Sequence, residues 1–123
     1  MNKIRSWTIE LLDGLRYIHE HGVLHEDIHP GNVLLVREST GEVRPKLADA
    51  GYQRKLHDLV SKKQPAGTIS VAKSAYWLPP EIANTDQPQY TQKTDMWDFG
   101  YVTLEAVISV LRAAPKRDIR GFY

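Results

Sequence analysis

The stretch that most constrains this chain is residues 25–32, His25-Glu26-Asp27-Ile28-His29-Pro30-Gly31-Asn32. Pro30 has no N–H and Gly31 has no Cβ, so the pair forces a loop between the elements on either side. The preceding element reads as helix. Ile4, Trp7, Leu11, Leu15 and Ile18 recur at three- and four-residue steps over residues 4–21, and Gly22 offers a left-handed stop. The following element reads as a buried strand, Val33-Leu34-Leu35-Val36. A polar turn over 38–42 with Gly41 near its tip then leads into 45–48, the returning strand of a hairpin.

From residue 49 to about 75 no period persists, and Gly51, Pro65 and Gly67 punctuate the stretch. A run of that length without regular structure is expected to be functional or disordered, with 52–70 its most mobile part. Residues 94–111 are helical again, with Trp97, Tyr101, Leu104 and Ile108 at turn-like spacing and Trp97 and Phe99 as core residues. The expected architecture is α+β and mainly helical. It comprises one partial domain over 1–111 and a polar tail over 112–123 that frays.

Sixteen basic and fifteen acidic residues nearly cancel. That balance gives no nucleic-acid footprint and no polybasic membrane patch. The absence of cysteine removes disulfide and thiol chemistry and fits a reducing compartment. No apolar stretch is long enough to span a bilayer, and the first residues lack a signal-peptide core. The expected location is the cytoplasm, with the nucleus as the other compartment open to it.

Asp27 and Asn32 stand five residues apart on the stiffened loop, and Asp49 follows where the hairpin returns, two residues before Gly51. Taken alone, an Asp/Asn pair around Pro-Gly is a solvated turn. Taken together, the three oxygen-bearing side chains suit a hard divalent cation shared with phosphate and water. Asp27 then serves as the carboxylate that orients a hydroxyl nucleophile. His25 reads as a packed, hydrogen-bonded histidine rather than a base. His29 reads either as a phosphate contact or as an ordinary polar loop residue.

Residues 25–32 resemble the catalytic loop of eukaryotic-type protein kinases. Asp49-Ala50-Gly51 stands where that family has Asp-Phe-Gly, and Pro79-Pro80-Glu81 where it has Ala-Pro-Glu. Asp95-Met96-Trp97-Asp98-Phe99-Gly100 resembles the start of the family's long central helix. The resemblance implies a C-lobe fragment whose short β-hairpin carries the catalytic and magnesium loops. It implies ATP and Mg2+ as cofactors, Asp27 as catalytic aspartate, Asn32 and Asp49 as metal ligands, and Leu34 beneath the adenine. Asp95 would brace the catalytic loop from below, while His25 and Glu81 would be structural. Ser74, three before Trp77, matches the substrate-side hydroxyl of serine/threonine kinases. The partner is then a protein substrate or another kinase.

The departures are as specific. Glu26 replaces the arginine that grips an activation-segment phosphate. His29 replaces a lysine, and Ala50 replaces a buried phenylalanine. The turn between the magnesium ligands, read as 37–45, is long, and the cation that pairs with Glu81 lies further on in the family. No glycine-rich phosphate loop or strand lysine precedes the first helix in these residues. The expectations are therefore a serine/threonine-type phosphotransferase whose 123-residue segment is inactive alone, an impaired pseudokinase or scaffold, or an aminoglycoside- or choline-type phosphotransferase. Apolar surface around Trp7, Trp77, Leu78 and Val107 is expected to be exposed or partly packed.

Overall fold

The computed structural model describes residues 1–61 and 78–113. Among them the chain forms helix α1 (Asn2–Glu20), strands β1 (Val33–Arg37) and β2 (Val43–Leu47), and helices α2 (Tyr52–Ser61), α3 (Pro80–Ala83) and α4 (Gln92–Ala113). A short 3-10 turn, Pro30–Asn32, leads into β1. Ser74, Thr68, Ser70 and Trp77 lie outside the described residues. No helix among those described is long and apolar enough to cross a membrane.

The apolar period of α1 does what its spacing demands. Leu11 and Leu15 are buried, and with Ile28 and Phe99 they form the core, against which Leu12, Ile18, Val33, Leu47 and Val102 pack. Burying a side chain of this size is worth about 1.5–3 kcal/mol. Ile28 belongs to the loop, so the same burial that joins α1 to α4 also pins the loop between them. Gly22, at φ 72°, ends α1 with Val23 N–H donating to Ile18 O at 2.9 Å and Gly22 N–H to His19 O at 3.0 Å. These two bonds satisfy carbonyls that the helix end would otherwise orphan.

Four expectations change. The two strands pair antiparallel from Val33↔Leu47 to Arg37↔Val43, which keeps the polar turn at 38–42 and removes the longer 37–45 reading. Strand β1 is not buried: Leu34 is 50% and Leu35 57% exposed. A continuous apolar run suits a strand covered on both faces, but this sheet has only two strands and α1 packs chiefly against β2. The ten residues after Gly51 are not irregular, because they form α2, and the rest of that stretch through residue 77 lies outside the described residues. Tyr52, Leu56, Leu59 and Val60 do follow helical spacing within those ten residues.

The fourth change concerns α4, which runs through Arg112 and Ala113, two residues into the expected tail. Its buried face is Thr94, Asp95, Asp98 and Phe99, while Trp97 is 44% exposed. Trp97, Leu104 and Ile108 thus line a more open stripe, with Tyr101 half-buried among them. Trp7, Leu78 and Val107 are each half-buried.

Candidate active site

The site is assembled from one buried carboxylate upward. Thr94 Oγ1 accepts the Thr91 N–H at 3.1 Å and fixes the first turn of α4. Asp95 follows immediately and is almost fully buried. Its Oδ2 accepts the His25 N–H at 2.8 Å, and its Oδ1 accepts the Glu26 N–H at 2.9 Å. Two consecutive backbone donors converge on one carboxylate with Glu26 in the left-handed region, at φ 67°. A non-glycine residue there is uncommon and costs energy that the surrounding bonds must offset. Nε2 of His19 adds a third donor to Oδ2 at 2.7 Å. The position of Asp95 near a helix N-terminus suits its charge as well.

His19 was not singled out in the sequence. It sits four residues after Leu15 and eight after Leu11, on the stripe that turns inward. A histidine in line with buried leucines was the signal that could have found it.

Above Asp95, His25 is completely buried. Its Nδ1 accepts the Asp27 N–H at 3.2 Å, and its Nε2 lies 2.8 Å from Ala48 O. A carbonyl can only accept, so Nε2 carries the proton and the ring is neutral. His25 O also accepts the Gly51 N–H at 3.1 Å. His25 therefore joins the loop carrying Asp27 to residues on both sides of Asp49, to Ala48 through its ring and to Gly51 through its own carbonyl. A second tie runs from Ala48 N–H to Asn32 O at 2.8 Å.

Asn32 is buried, and its Nδ2 donates to Asp27 O at 2.8 Å and to Asp27 Oδ2 at 3.2 Å. With the amide nitrogen committed to Asp27, Oδ1 is the group left for a ligand. Among the described residues it accepts no hydrogen bond. Asp49 has φ 61° and an exposed carboxylate, which makes no ion pair among the described residues. The turn holds it through its backbone, with Tyr52 N–H donating to Asp49 O at 3.1 Å.

This donor set fits magnesium. Two uncommitted side-chain oxygens, an amide and a carboxylate, are held on loops that two hydrogen-bonded ties bring together. Among the described residues no group of three or more His, Cys, Asp or Glu side chains could form an all-protein metal centre. Magnesium is commonly held by one or two protein oxygens, with phosphate and water completing its shell.

The remaining candidates fall around this centre. His29 is 45% exposed, with Nε2 3.5 Å from Asp27 Oδ2. Leu34 lies half-exposed on β1. Glu81 is exposed on α3 and forms no ion pair among the described residues. Glu26 is itself buried, at 7% exposure.

The family model that matches is the protein kinase domain, over residues 1–118. The chain is 32% identical over 102 residues, 83% of its length, to a mitogen-activated protein kinase kinase kinase, bck1, of Aspergillus fumigatus. It is equally similar to the serine/threonine-protein kinase BCK1/SLK1/SSP31 of Saccharomyces cerevisiae, at 32% over 102 residues. It is 39% identical over 92 residues, 75% of its length, to the serine/threonine-protein kinase pakH of Dictyostelium discoideum. The matched regions span 6% of the first two proteins and 16% of the third.

Proposed function

The chain belongs to the protein kinase domain family, and from that premise we propose that it is the C-lobe portion of a serine/threonine-type protein kinase. In this reading the intact protein transfers the terminal phosphoryl group of ATP to a protein hydroxyl. Asp27 orients that hydroxyl, Asn32 and Asp49 hold magnesium, and Leu34 lies under the adenine. Magnesium supplies charge neutralisation between the phosphates when bound. The protein's own share is positioning. Asp95 fixes the backbone at His25 and Glu26, His25 fixes Asp27 relative to Ala48, and Asn32 holds the Asp27 carboxylate.

The observation that carries this reading is the Asn32–Asp27 pair. A carboxamide that spends its nitrogen on the candidate base and turns its oxygen outward serves the nucleophile and the metal at once. Serine/threonine specificity rests on the named relatives and on Ser74. The test is phosphate incorporation into serine, threonine and tyrosine peptides by a product that also carries a nucleotide-gripping lobe. Transfer to serine or threonine that disappears in Asp27→Asn supports the assignment, and undiminished transfer in that variant removes it.

A second reading, a catalytically impaired domain that binds a partner kinase, is favoured by Ala50. Its exposed methyl cannot supply the buried contact of the aromatic residue in the family motif. Nucleotide binding without transfer in the same product is the outcome that selects it.

A further inference from the structure

Gly31 donates its N–H to Nδ1 of His29 at 3.1 Å. A Cβ added at Gly31 would lie 2.9 Å from Cε1 and 3.0 Å from Nδ1 of that ring. Position 31 thus has two independent relations to the same imidazole: its N–H occupies the ring's acceptor nitrogen, and its missing side chain is the space the ring fills. The Pro30–Asn32 turn fixes the direction of that N–H, since Asn32 N–H also returns to His29 O at 2.9 Å.

A neutral imidazole has one acceptor and one donor nitrogen. With Nδ1 accepting from Gly31, the proton is on Nε2. Nε2 points toward Asp27, but 3.5 Å is beyond a good N–H···O hydrogen bond. Among the described residues no other acceptor takes this proton. The ring is also 45% exposed, so an incoming group can reach it.

We infer that Gly31 is a positioning residue that locks His29 as a neutral Nε2–H donor beside Asp27, where it meets an anionic phosphate oxygen of the nucleotide substrate. The identity of that anion rests on the phosphotransfer reading, whereas the lock does not. A lysine at this position would need no such device, because an ammonium donates in every rotamer and carries its own charge. Position 31 is therefore coupled to the histidine specifically, and His29→Lys should make the chain indifferent to a methyl at 31.

The lock can be read directly on the whole 15N-labelled chain by NMR. His29 should show a protonated Nε2 and an acceptor-type Nδ1, with a scalar coupling from the Gly31 amide nitrogen across the hydrogen bond. Gly31→Ala should abolish the coupling while leaving the His25 ring pattern unchanged. If that variant loses the His25 pattern and so its fold, His29→Ala replaces it, and faster exchange of the Gly31 amide proton is then expected. A protonated Nδ1, or Gly31 exchange unaffected by His29→Ala, overturns the lock.

The anion is tested by titrating magnesium with a non-hydrolysable ATP analogue into a product that also carries a nucleotide-gripping lobe. Its binding should shift the His29 Nε2 resonance, and Gly31→Ala should weaken it roughly 3- to 10-fold, the worth of one neutral hydrogen bond. In His29→Lys the same change should have no effect, and an equal loss in both backgrounds overturns the coupling. A locked tautomer in a product that carries the nucleotide lobe yet binds no magnesium nucleotide strikes out the anionic partner and the phosphotransfer reading, and leaves the Gly31–His29 lock standing.

Discussion

Nε2 of His19 lies 2.7 Å from Oδ2 of Asp95, and both side chains are almost wholly removed from solvent. The pair joins the last turn of α1 to the first turn of α4. Through the same carboxylate it reaches the backbone at His25 and Glu26, the two residues before Asp27. A buried carboxylate is tolerable when donors surround it, and each donor is tolerable only while the carboxylate remains. The order of the loop that carries Asp27 is thus a property of helix packing.

Asp95→Asn should accordingly do more harm than its similar shape suggests. Three donors converge on the carboxylate, and an amide can accept at only one of its two ends. At least one buried N–H or ring N–H then faces another donor. The expected destabilisation is roughly 2–4 kcal/mol, seen as a lower urea midpoint with an unchanged slope. His19→Leu removes one donor and leaves both backbone bonds, so it should cost less. Equal midpoints for parent and Asp95→Asn would show that this carboxylate does not hold the loop.

Asp49→Ala and Asp27→Ala should separate binding from turnover in a product that also carries a nucleotide lobe. Asp49 offers an exposed carboxylate on a backbone-held turn, which suits a metal ligand. Asp27 is tied to Asn32 and His25 and suits the nucleophile's side. Removing the metal's ligand should abolish magnesium-dependent nucleotide binding. Removing the orienting carboxylate should leave binding and abolish transfer. Titration calorimetry on both variants decides, and the same loss of affinity in each contradicts the division of roles.

The 123-residue chain by itself should show no measurable kinase turnover. Its sequence contains no glycine-rich phosphate-loop motif, and the lysine that β2 carries, Lys46, lies 3.2 Å from Glu38 with its side chain largely exposed. Covering and positioning the phosphates accounts for much of the catalysis in this family. Steady ATP-dependent labelling of a serine/threonine peptide by the chain, lost in Asp27→Asn, would overturn that expectation.

Much of this site was legible because its residues had to be contiguous. Asp27, His29 and Asn32 sit on one stiff loop, and Asp49 follows after a hairpin of ordinary length. Asp95 was found through its motif, but the bonds it makes depend on α4 packing against α1, which spacing does not encode. His19 escaped because one polar residue on an apolar stripe has no partner in the local sequence. The exposure of β1 and of Trp97 could not be read from hydrophobicity. An apolar run states what a strand or helix can bury, whereas the elements packed on it decide what it does bury. Helix α2 was missed although Tyr52, Leu56, Leu59 and Val60 keep helical spacing, because Gly51 before it and Pro65 and Gly67 after it punctuate what reads as one irregular run.

Phosphorylation of the segment after α2 should matter little to activity. Glu26 places a carboxylate, 7% exposed, where the resemblance has an arginine. A phosphate brought near it meets repulsion that strengthens as solvent is excluded. In the longer product, Thr68→Glu or Ser70→Glu should leave peptide phosphorylation about the same. Strong activation by either substitution would contradict this role for Glu26.

The last expectation concerns the open stripe of α4. Trp97, Tyr101, Leu104, Ile108 and Leu111 follow one another at four- and three-residue steps, the spacing of a helix-packing seam. Leu104 and Leu111 are 53% and 63% exposed, and Trp97 is 44% exposed. Contiguous apolar surface beyond a few hundred Å² marks an interaction site or a tendency to aggregate. The chain in isolation should therefore associate as its concentration rises. Leu104→Glu and Leu111→Lys together should suppress that association without weakening the monomer, because neither side chain belongs to the Leu11, Leu15, Ile28 and Phe99 core. Surface changes away from buried features alter stability by only about 0.5 kcal/mol. Sedimentation velocity would report the association, and urea unfolding at low concentration the stability. A double variant that stays as associated as the parent would move the liability away from α4. One that loses several kcal/mol would show that the stripe is part of the monomer's core after all.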